Sequence, residues 1–505
     1  MQSLLVTGAE RAVEVALLGV IALPLARLAI HQGVRRRFQA FPHVQAVMML
    51  ALALYGVAVV VIALALPAAL RAAAAAALVA IAWERWQARA AYGSGSGLPA
   101  GSLALMPISP WRDPDYFLKQ AARHGPVFKF RHFVHPAIGI VGLERAANFL
   151  TTNNERLVVP AAPFNSLVPG GFVRYLDGGR HRDVATVLRS ALTPEVVASC
   201  EQELAAEAKA MLRSLASVGR AADPVGAIDR MVLNDMMRCF FGVSPGPDLD
   251  RLEERYRVAD YRQLARTGRR PASAALFDIV GELRTRAVAG DRNSRGDPQS
   301  FLSELCRLHP DALSDDELMA NFAYTLHTAR LDVVGFVSWL VVKLGENPSL
   351  LARLANETVV DRCQAVAPGG LADRMVRETL RLHQSEFLLR RVKRPIQWDG
   401  LRIPSGWYVR ICVQESHRSS EMFDSPDAFD PDRFLVPPKR TQYSAFGLPP
   451  RICPGAHLSR AIGRHVAAEL AAGYELDVHD AEPLEFSGFH WRPGSRFTAT
   501  LRPRA

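Results

Sequence analysis

The first 90 residues carry long apolar runs with few charges. Residues 44–66 form an uncharged apolar run of 23 residues, and a helix needs about 20 such residues to cross the hydrocarbon core of a bilayer. A shorter apolar run occupies 15–26, and the alanine-rich run 68–83 follows Pro67, which suits the turn of a helical hairpin. The pattern predicts a transmembrane anchor of two or three helices within residues 1–90.

The distribution of basic residues predicts the topology of this anchor. The basic segments 33–39 and 83–89 flank the predicted hairpin, and positively charged loops favour the cytoplasmic side of a membrane. Residues 91–102 are rich in glycine and serine, as in a flexible linker. From 103 to 505 the composition is that of a soluble domain. We therefore expect an integral membrane protein whose large domain lies on the cytoplasmic side.

The longest helical pattern of the large domain runs from 314 to 345. Ser314 and Glu317 have the spacing of a capping box at its start, and Gly345 offers a stop. About 30 helical residues would extend roughly 45 Å. Five polar or charged side chains within the run argue against a membrane span: Asn321, His327, Arg330, Asp332 and Lys343. We predict that this mostly apolar helix passes through the centre of the domain.

Shorter signals define the rest of the fold class. Thr193 is a candidate N-cap, and Pro194 suits the first position of the helix that follows. Asp399 and Gly400 lie between two β-prone runs and are the strongest cue for a tight hairpin within 390–415. These signals predict a mainly α domain with a small β region.

Charge and cysteine content exclude several classes of protein. The chain of 505 residues has a formal net charge of +10. Such an excess attracts nucleic acid, anionic lipid or acidic proteins, but no DNA- or RNA-binding motif is present, so no nucleic-acid partner is expected. The six cysteines are scattered, without a Cys-x-x-Cys pair or the spacing of zinc ligands. This argues against a disulfide framework.

One cysteine stands in an unusual loop. In the stretch SAFGLPPRICPGAH, residues 444–457, Cys453 lies among three prolines and two glycines. A buried cysteine usually acts as a small hydrophobe, and that role needs none of this loop chemistry. Upstream, Glu378 and Arg381 have the i, i+3 spacing of an ion pair, and Arg433 lies in a turn-rich stretch before the loop.

These features resemble the cytochrome P450 superfamily of haem-thiolate enzymes. The cysteine loop of that family follows F-x-x-G-x-R-x-C-x-G. This chain matches it at Phe446, Arg451, Cys453 and Gly455, whereas the inner glycine is Pro449. The resemblance implies the cytochrome P450 fold, haem b as cofactor and Cys453 as axial ligand of the haem iron, where the thiolate favours O–O cleavage. It also implies that Gly455 lets the loop approach the macrocycle closely and that Phe446 packs under the loop.

The resemblance covers essentially all of 103–505. Glu378 and Arg381 match the E-x-x-R motif of the family, and Glu378 lies 75 residues before Cys453, in agreement with the family spacing. Arg433 falls where the family closes this pair into a structural triad.

The resemblance also implies which side chains contact the haem propionates. Arg451 belongs to the cysteine loop, His181 matches the histidine of the C helix, and Arg390 matches the arginine that starts the β hairpin. Arg391 is the fallback for Arg390. The basic residue that usually follows the histidine by four positions is Ala185 here, so that contact is missing or replaced.

The distal-helix signature of the family, A/G-G-x-D/E-T, is broken in this chain. Alignment without gaps places Thr328 at its first position, Leu331 at the acid and Asp332 at the threonine. In one interpretation Asp332 itself relays protons, and in a second the enzyme does not activate dioxygen in the usual way. In a third, Asp332 binds a cationic group of the substrate. In a fourth, the register is off by one, and Asp332 merely pairs with Arg330 or another neighbour. Thr328 and Asp332 are the candidate catalytic residues.

The resemblance places substrate next to 158–176, 324–332 and 384–389, the last of which contains the charged Glu386. It implies a monooxygenase that oxidises a lipophilic small molecule or specialised metabolite with dioxygen. Electrons would come from a separate ferredoxin or flavin reductase, because no flavin, nucleotide or iron–sulfur motif is present, and the basic excess would suit an acidic donor on the Cys453 side. The alternatives are a peroxygenase, dehydratase or isomerase, or a haem-binding sensor without turnover.

Overall fold

The computed structural model describes most of the chain from residue 97 onward. The described residues are 97–103, 113–132, 135–160, 165, 167–219, 223–243, 246–259, 269–291, 300–384, 387–439, 441–481, 484–486, 490–494 and 496–504. The predicted anchor, 1–90, lies outside them, as does the start of the predicted linker. The chain divides into two compact units, and the elements described below belong to the larger one, 99–260 with 269–505.

Helices dominate the described part of the chain, so the predicted mainly α class is confirmed. In chain order they are α1 (Tyr116–His124), α2 (Leu143–Asn153), α3 (Gly178–Ala191), α4 (Pro194–Ser199), α5 (Glu201–Val218), α6 (Pro224–Phe241), α7 (Pro247–Ala259), α8 (Arg269–Asp291), α9 (Phe301–Leu308), α10 (Asp316–Glu346), α11 (Pro348–Val360), α12 (Arg362–Val366), α13 (Leu371–Thr379), α14 (Val413–His417) and α15 (Ala456–Gly473).

The β structure is small and divided among short sheets. The strands are β1 (Val127–His132), β2 (His135–Ile140), β3 (Leu157–Val158), β4 (Leu388–Val392), β5 (Ile396–Trp398), β6 (Leu401–Ile403), β7 (Tyr408–Ile411), β8 (Tyr474–His479), β9 (Glu485–Phe486), β10 (Trp491–Arg492) and β11 (Thr498–Pro503). One sheet has the order β1-β2-β7-β4-β3, with β2 and β7 parallel. The strands outside 390–415 were not predicted.

The predicted hairpin joins β5 and β6. Asp399 and Gly400 connect these antiparallel strands with φ angles of +49° and +71°. Left-handed conformations at both central residues are what a type I′ turn requires. The Asp-Gly cue is therefore confirmed.

The long helix α10 is confirmed, but its start differs from the prediction. Ser314 ends a preceding 3₁₀ turn, and its hydroxyl donates to the carbonyl of Asp311 at 2.8 Å. Asp315 is the N-cap instead and accepts from the N–H of Leu318 at 3.0 Å. A carboxylate there also favours the positive end of the helix. Among the described residues α10 is the helix long and apolar enough to cross a membrane, but 67% of its apolar window is buried inside the domain.

Gly345 does not end α10, contrary to the prediction. The helix continues to Glu346, and a Cβ at Gly345 would lie 2.4 Å from Val478 of β8. This glycine therefore permits close helix–strand packing. Gly463 of α15 has the same role, because a Cβ there would lie 2.6 Å from the ring of Phe336 on α10. The close approach fixes α10 against the helix that follows the cysteine loop.

The predicted start of a helix at Thr193 is confirmed. The Thr193 hydroxyl accepts from the N–H of Val196 at 3.5 Å, and Pro194 occupies the first helical position. The predicted single helix is interrupted at Cys200, however, where α4 ends and α5 begins.

Candidate active site

The cysteine loop presents its thiol to a large internal cavity. The N–H of Cys453 donates to the carbonyl of Phe446 at 2.9 Å, which closes the loop. Gly447 turns the chain with a φ of +87°. Cys453, Phe446 and Gly455 line a cavity of about 620 Å³. The exposed surface of Cys453 therefore forms part of the wall of this cavity.

The surroundings of Cys453 adjust the acidity of its thiol. Burial raises the pKa of Cys453, whereas a hydrogen bond from the backbone N–H of Gly455 lowers it. The charge of Asp332 also raises the pKa of Cys453, whereas the charges of Arg174 and Arg189 lower it. Hydrogen bonds of this kind to sulfur tune the electron density of a metal-binding thiolate.

Glu378 and Arg381 form a fully buried ion pair at the end of α13. Arg381 donates from Nε and Nη2 to the two carboxylate oxygens of Glu378, at 2.7 and 2.8 Å. Arg433 donates from Nε to the same carboxylate at 2.9 Å. Arg381 also donates to the backbone carbonyls of His417 and Ala428, at 2.7 and 3.1 Å. The three predicted side chains thus tie α13 to the segment that leads into the cysteine loop.

His417, which belongs to no motif in the sequence, extends this network to the loop. Its Nε2 accepts from the N–H of Ser444 at 2.9 Å, and its ring stacks on Tyr443 with centroids 5.2 Å apart. Burial, with the charge of Arg381, lowers the pKa of His417 to about 3. The ring is therefore neutral at physiological pH, and Nε2 remains an acceptor.

Positively charged side chains gather along one part of the cavity wall. They are Arg174, Arg189, Arg390 and Arg451, and the neutral ring of His181 lines the same part of the cavity. Burial lowers the pKa of Arg390 to about 10 and that of His181 to about 4, and the charge of Arg451 contributes to both shifts. Like charges enclosed together are unfavourable. This part of the cavity is therefore suited to anionic groups.

Arg451 is held in place by the chain that precedes α3. It donates to the carbonyl of Arg174 at 3.3 Å and to that of Leu176, and its Nη2 lies 3.1 Å from Oδ1 of Asp177. On β4, Arg390 lines the cavity, whereas its neighbour Arg391 is exposed.

A basic residue lies one helical turn beyond Ala185. Ala185 is buried in the cavity wall, and Arg189 lies one turn further along α3, also on the cavity. Arg189 donates to the carbonyl of Pro450 at 3.0 Å. The sequence itself indicates Arg189 as a cavity residue. Residues four apart share a helix face, and His181, Ala185 and Arg189 follow one another at that spacing.

Thr328 and Asp332 lie on the face of α10 that lines the cavity. The Thr328 hydroxyl donates to the carbonyl of Thr325 at 3.0 Å. Oδ1 of Asp332 lies 3.3 Å from Nε2 of His490, which precedes β10 and was not identified from the sequence. His490 is 4% exposed and lines the same cavity. A carboxylate–imidazole pair therefore shares this space with Cys453.

Arg330 is not the partner of Asp332. It donates to both carboxylate oxygens of Asp229, each at 2.7 Å, so pairing within α10 is excluded, and His490 is the neighbour that pairs with Asp332. Burial raises the pKa of Asp332, but the hydrogen bond and charge of His490, with the charges of Arg174 and Arg492, reverse this effect. The net pKa is lowered, and Asp332 is a carboxylate at neutral pH.

The predicted substrate-facing segments are described in part. Residues 161–164, residue 166 and Glu386 lie outside the described residues. From the described positions, Val159, Phe172 and Phe387 line the cavity. The apolar side chains of these segments therefore meet the cavity that Cys453 and Asp332 share.

A mainly helical domain that presents a loop cysteine to an internal cavity is the architecture of the haem-thiolate proteins. The chain belongs to the cytochrome P450 family, because the family model "Cytochrome P450" matches residues 106–487. Membership makes the protein a monooxygenase-type oxidoreductase that acts on a small molecule with a redox partner, and it implies a haem-thiolate cofactor.

Named relatives agree with this assignment. Abscisic acid 8'-hydroxylase 1 of Oryza sativa subsp. japonica is 23% identical over 448 residues, which cover 81% of this chain and 92% of the rice protein. Abscisic acid 8'-hydroxylase 1 of Arabidopsis thaliana is 23% identical over 369 residues, or 69% of this chain and 78% of that protein.

Solved structures agree with the fold. Cyanobacterial CYP120A1 with bound retinoic acid has a TM-score of 0.67 and 20% identity, over 81% of this chain and 100% of that one. A zebra fish cytochrome P450 with progesterone has a TM-score of 0.63 and 18% identity, over 77% of this chain and 99% of that one. The cytochrome P450 fold is therefore shown independently of the motifs.

Proposed function

We propose that this protein is a membrane-anchored monooxygenase that oxidises a lipophilic small molecule with dioxygen and electrons from a separate ferredoxin or flavin reductase. The observation that carries the proposal is that one cavity is lined by Cys453, by Asp332 and by a cluster of arginines (Arg174, Arg189, Arg390 and Arg451). The similar abscisic acid 8'-hydroxylases favour oxygen insertion over a dehydratase or isomerase reaction. The anchor of 1–90 would hold the domain at the cytoplasmic face of a membrane.

The cavity residues fit haem b. Cys453 would supply the thiolate ligand of the haem iron, since its sulfur already receives the N–H of Gly455. Arg390, Arg451 and His181 would hold the two propionates, because the enclosed guanidinium groups require anions and match a carboxylate, and the neutral imidazole can donate a hydrogen bond. When bound, the haem supplies the activation of dioxygen.

Arg189 would add the basic contact that is absent at Ala185, because it lines the same cavity on the same face of α3. The triad of Glu378, Arg381 and Arg433 would fix the position of the cysteine loop through the network of buried hydrogen bonds. Glu378, Arg381 and Arg433 are positioning residues, which act through the loop and not on the substrate.

Proton delivery is assigned to the pair formed by Asp332 and His490. Asp332 is ionised at neutral pH because its pKa is lowered, and Nε2 of His490 lies 3.3 Å from its Oδ1. The Asp332 carboxylate would take up and release protons at the cavity, and His490 would hold it in position. Thr328, one turn earlier on α10, would orient a hydroxyl along this path.

Oxygen-18 labelling tests the reaction class. The full chain is incorporated in lipid with a reductase or ferredoxin system and offered a panel of lipophilic molecules that begins with abscisic acid and retinoic acid. Label from ¹⁸O₂ in a product supports a monooxygenase. Label only from added peroxide, or a product without new oxygen, overturns the proposal. Cys453→Ser is expected to abolish turnover, whereas Cys363→Ser, at an exposed position, is the matched control.

Replacing Asp332 tests proton delivery. Asp332→Asn keeps the shape of the side chain but removes the charge that pairs with His490, so product formed per electron is expected to fall by about tenfold or more, with excess peroxide released. The measurement is the ratio of product and peroxide to electrons consumed, across pH. His490→Gln is expected to show the same loss and to shift the pH profile. Unchanged coupling in both variants would refute this role.

A further inference from the structure

A buried ion pair in the cavity wall has no role in the chemistry assigned above. Arg410 lies on β7, the middle strand of the five-stranded sheet, and Glu415 lies on α14 just after it. Nη2 of Arg410 donates to Oε1 of Glu415 at 3.1 Å. The two residues are 9% and 5% exposed, and both line the cavity. Two charges are costly to bury unless their hydrogen-bonding groups are satisfied.

The guanidinium of Arg410 is held between two aromatic rings. Its Cζ lies 3.9 Å from the ring centroid of Phe117 and 3.8 Å from that of Phe387. Cation–π contacts of this kind are strongest where water is excluded. Both faces of the planar group are covered, so only its edges remain for hydrogen bonds.

Two atoms of this ion pair have no hydrogen-bond partner in the described part of the chain. One is a donor, Nε of Arg410, and the other is an acceptor, Oε2 of Glu415, and both atoms are buried. An unpaired buried polar group costs free energy. A ligand that occupies the cavity can remove both costs if it carries a group that accepts one hydrogen bond and donates another.

A hydroxyl group has this combination of acceptor and donor. Its oxygen can accept from Nε of Arg410 while its hydrogen is donated to Oε2 of Glu415. An ether, a ketone or an ionised carboxylate can only accept, and an ammonium group can only donate. His132, also on the cavity, adds no charge, because burial and the charge of Arg410 lower its pKa to about 4.

We infer that Arg410, Glu415, Phe117 and Phe387 form a subsite, here called the Arg410 subsite, that binds the hydroxyl group of an otherwise apolar substrate. The inference rests on the proposed function, because it names the substrate class of the same cavity. The two rings and Leu388 surround the hydroxyl with apolar surface. Binding there leaves the apolar part of the substrate for the region that Cys453 lines.

Calorimetry with three matched probes tests the Arg410 subsite. The haem-loaded full chain is titrated with 1-nonanol, its methyl ether and nonanoate, in the same detergent and buffer. The alcohol is expected to bind about tenfold more tightly than the ether, as expected for one added hydrogen bond to a charged group. It is also expected to bind more tightly than the carboxylate. Calorimetry detects binding whether or not the enzyme turns over.

Variants assign the preference to this ion pair. Arg410→Leu combined with Glu415→Leu removes both charges, which avoids leaving one buried and unpaired, and is expected to reduce the alcohol-to-ether ratio below about twofold. Arg410→Lys keeps the positive charge without the planar fork and is expected to give an intermediate ratio. The control is Arg307→Leu with Glu304→Leu, an ion pair with a contact of 2.6 Å that does not line the cavity.

Two results would overturn the inference. One is a wild-type protein that does not prefer the alcohol, either because all probes bind alike or because none binds. The other is a double variant that retains the preference. Failure of the proposed function is distinguishable from these results. Alcohol preference without incorporation of ¹⁸O₂ refutes only the monooxygenase, whereas oxygen insertion without alcohol preference refutes only the Arg410 subsite.

Discussion

At the scale of single residues, the candidate site is defined by charges that are enclosed with few counter-charges. Arg390 and Arg451 share the cavity wall with the neutral ring of His181, and Asp177 is a carboxylate bonded to Arg451. The lowered pKa of Arg390, about 10, expresses the cost of keeping this cation away from water and beside other cations. A dianionic ligand would remove that cost, which is why the cluster fits the two propionates of haem.

Arg390→Gln is expected to weaken haem retention, because a charge-assisted hydrogen bond to a propionate is lost. The rate of haem transfer to an excess of apomyoglobin should rise by about tenfold. Arg391→Gln is the matched control, since Arg391 is adjacent on β4 but exposed, and its rate should stay that of the wild type. Faster loss from the Arg391 variant alone would instead assign the contact to the fallback residue.

The sequence identified site residues that belong to motifs and missed those that the fold brings in from elsewhere. Cys453 and Glu378 are recognisable from their local spacing. His490 lies 158 positions after Asp332, and only the packing of the chain near β10 against α10 brings them together. Arg410 has no motif, because its significance comes from the rings that cover it.

At the scale of elements, the local rules predicted the existence of elements better than their ends. The hairpin at Asp399 was predicted because a type I′ turn demands particular residues. The start of α10 was misplaced by one residue because Ser314 and Asp315 can both cap, and only the structure shows that Ser314 belongs to the preceding turn. The sequence pattern predicts the end of the helix at Gly345, because the close contact of this glycine with β8 is a tertiary feature that no local pattern shows.

Gly463→Ala tests the contact between α15 and α10. The new Cβ would lie 2.6 Å from the ring of Phe336 and 2.8 Å from Val376, so the variant should be destabilised by about 1–3 kcal/mol. Thermal unfolding and the carbon monoxide spectrum of the reduced protein should both report the change. Gly473→Ala, on the same helix with no atom within 4 Å, should be neutral or stabilising. Equal effects of the two substitutions would contradict the packing argument.

At the scale of the whole molecule, the cavity is assembled from distant parts of the chain. Helices α3 and α10, strands β4 and β7, the cysteine loop and the segment before β10 each contribute wall residues. The loop that carries Cys453 is fixed by a network of hydrogen bonds that runs from Glu378 through Arg381 and His417 to Ser444. The family could be predicted from motifs, whereas the polarity of the cavity could not, because it depends on which side chains meet.

Buried neutral histidines make the whole domain sensitive to acid. The pKa of His417 is lowered to about 3 and that of His465 to about 4, in each case first by burial and then by nearby arginines. Each folded pKa lies below the unfolded value of about 6.5, so the unfolded chain binds the proton first as pH falls. The stability is therefore complete above about pH 6.5 and decreases as pH falls toward the folded values.

His465→Leu isolates one of these contributions. Both ring nitrogens of His465 are buried without a hydrogen-bond partner in the described part of the chain, so its loss should raise the unfolding midpoint at pH 7. Between pH 6 and 5 the variant should lose about 1.4 kcal/mol less stability, corresponding to one proton, or about 2 °C in midpoint. His124→Leu, at a partly exposed position at the end of α1, should leave the slope unchanged. An unchanged slope for His465→Leu would mean that this imidazole is already protonated in the folded protein at pH 5.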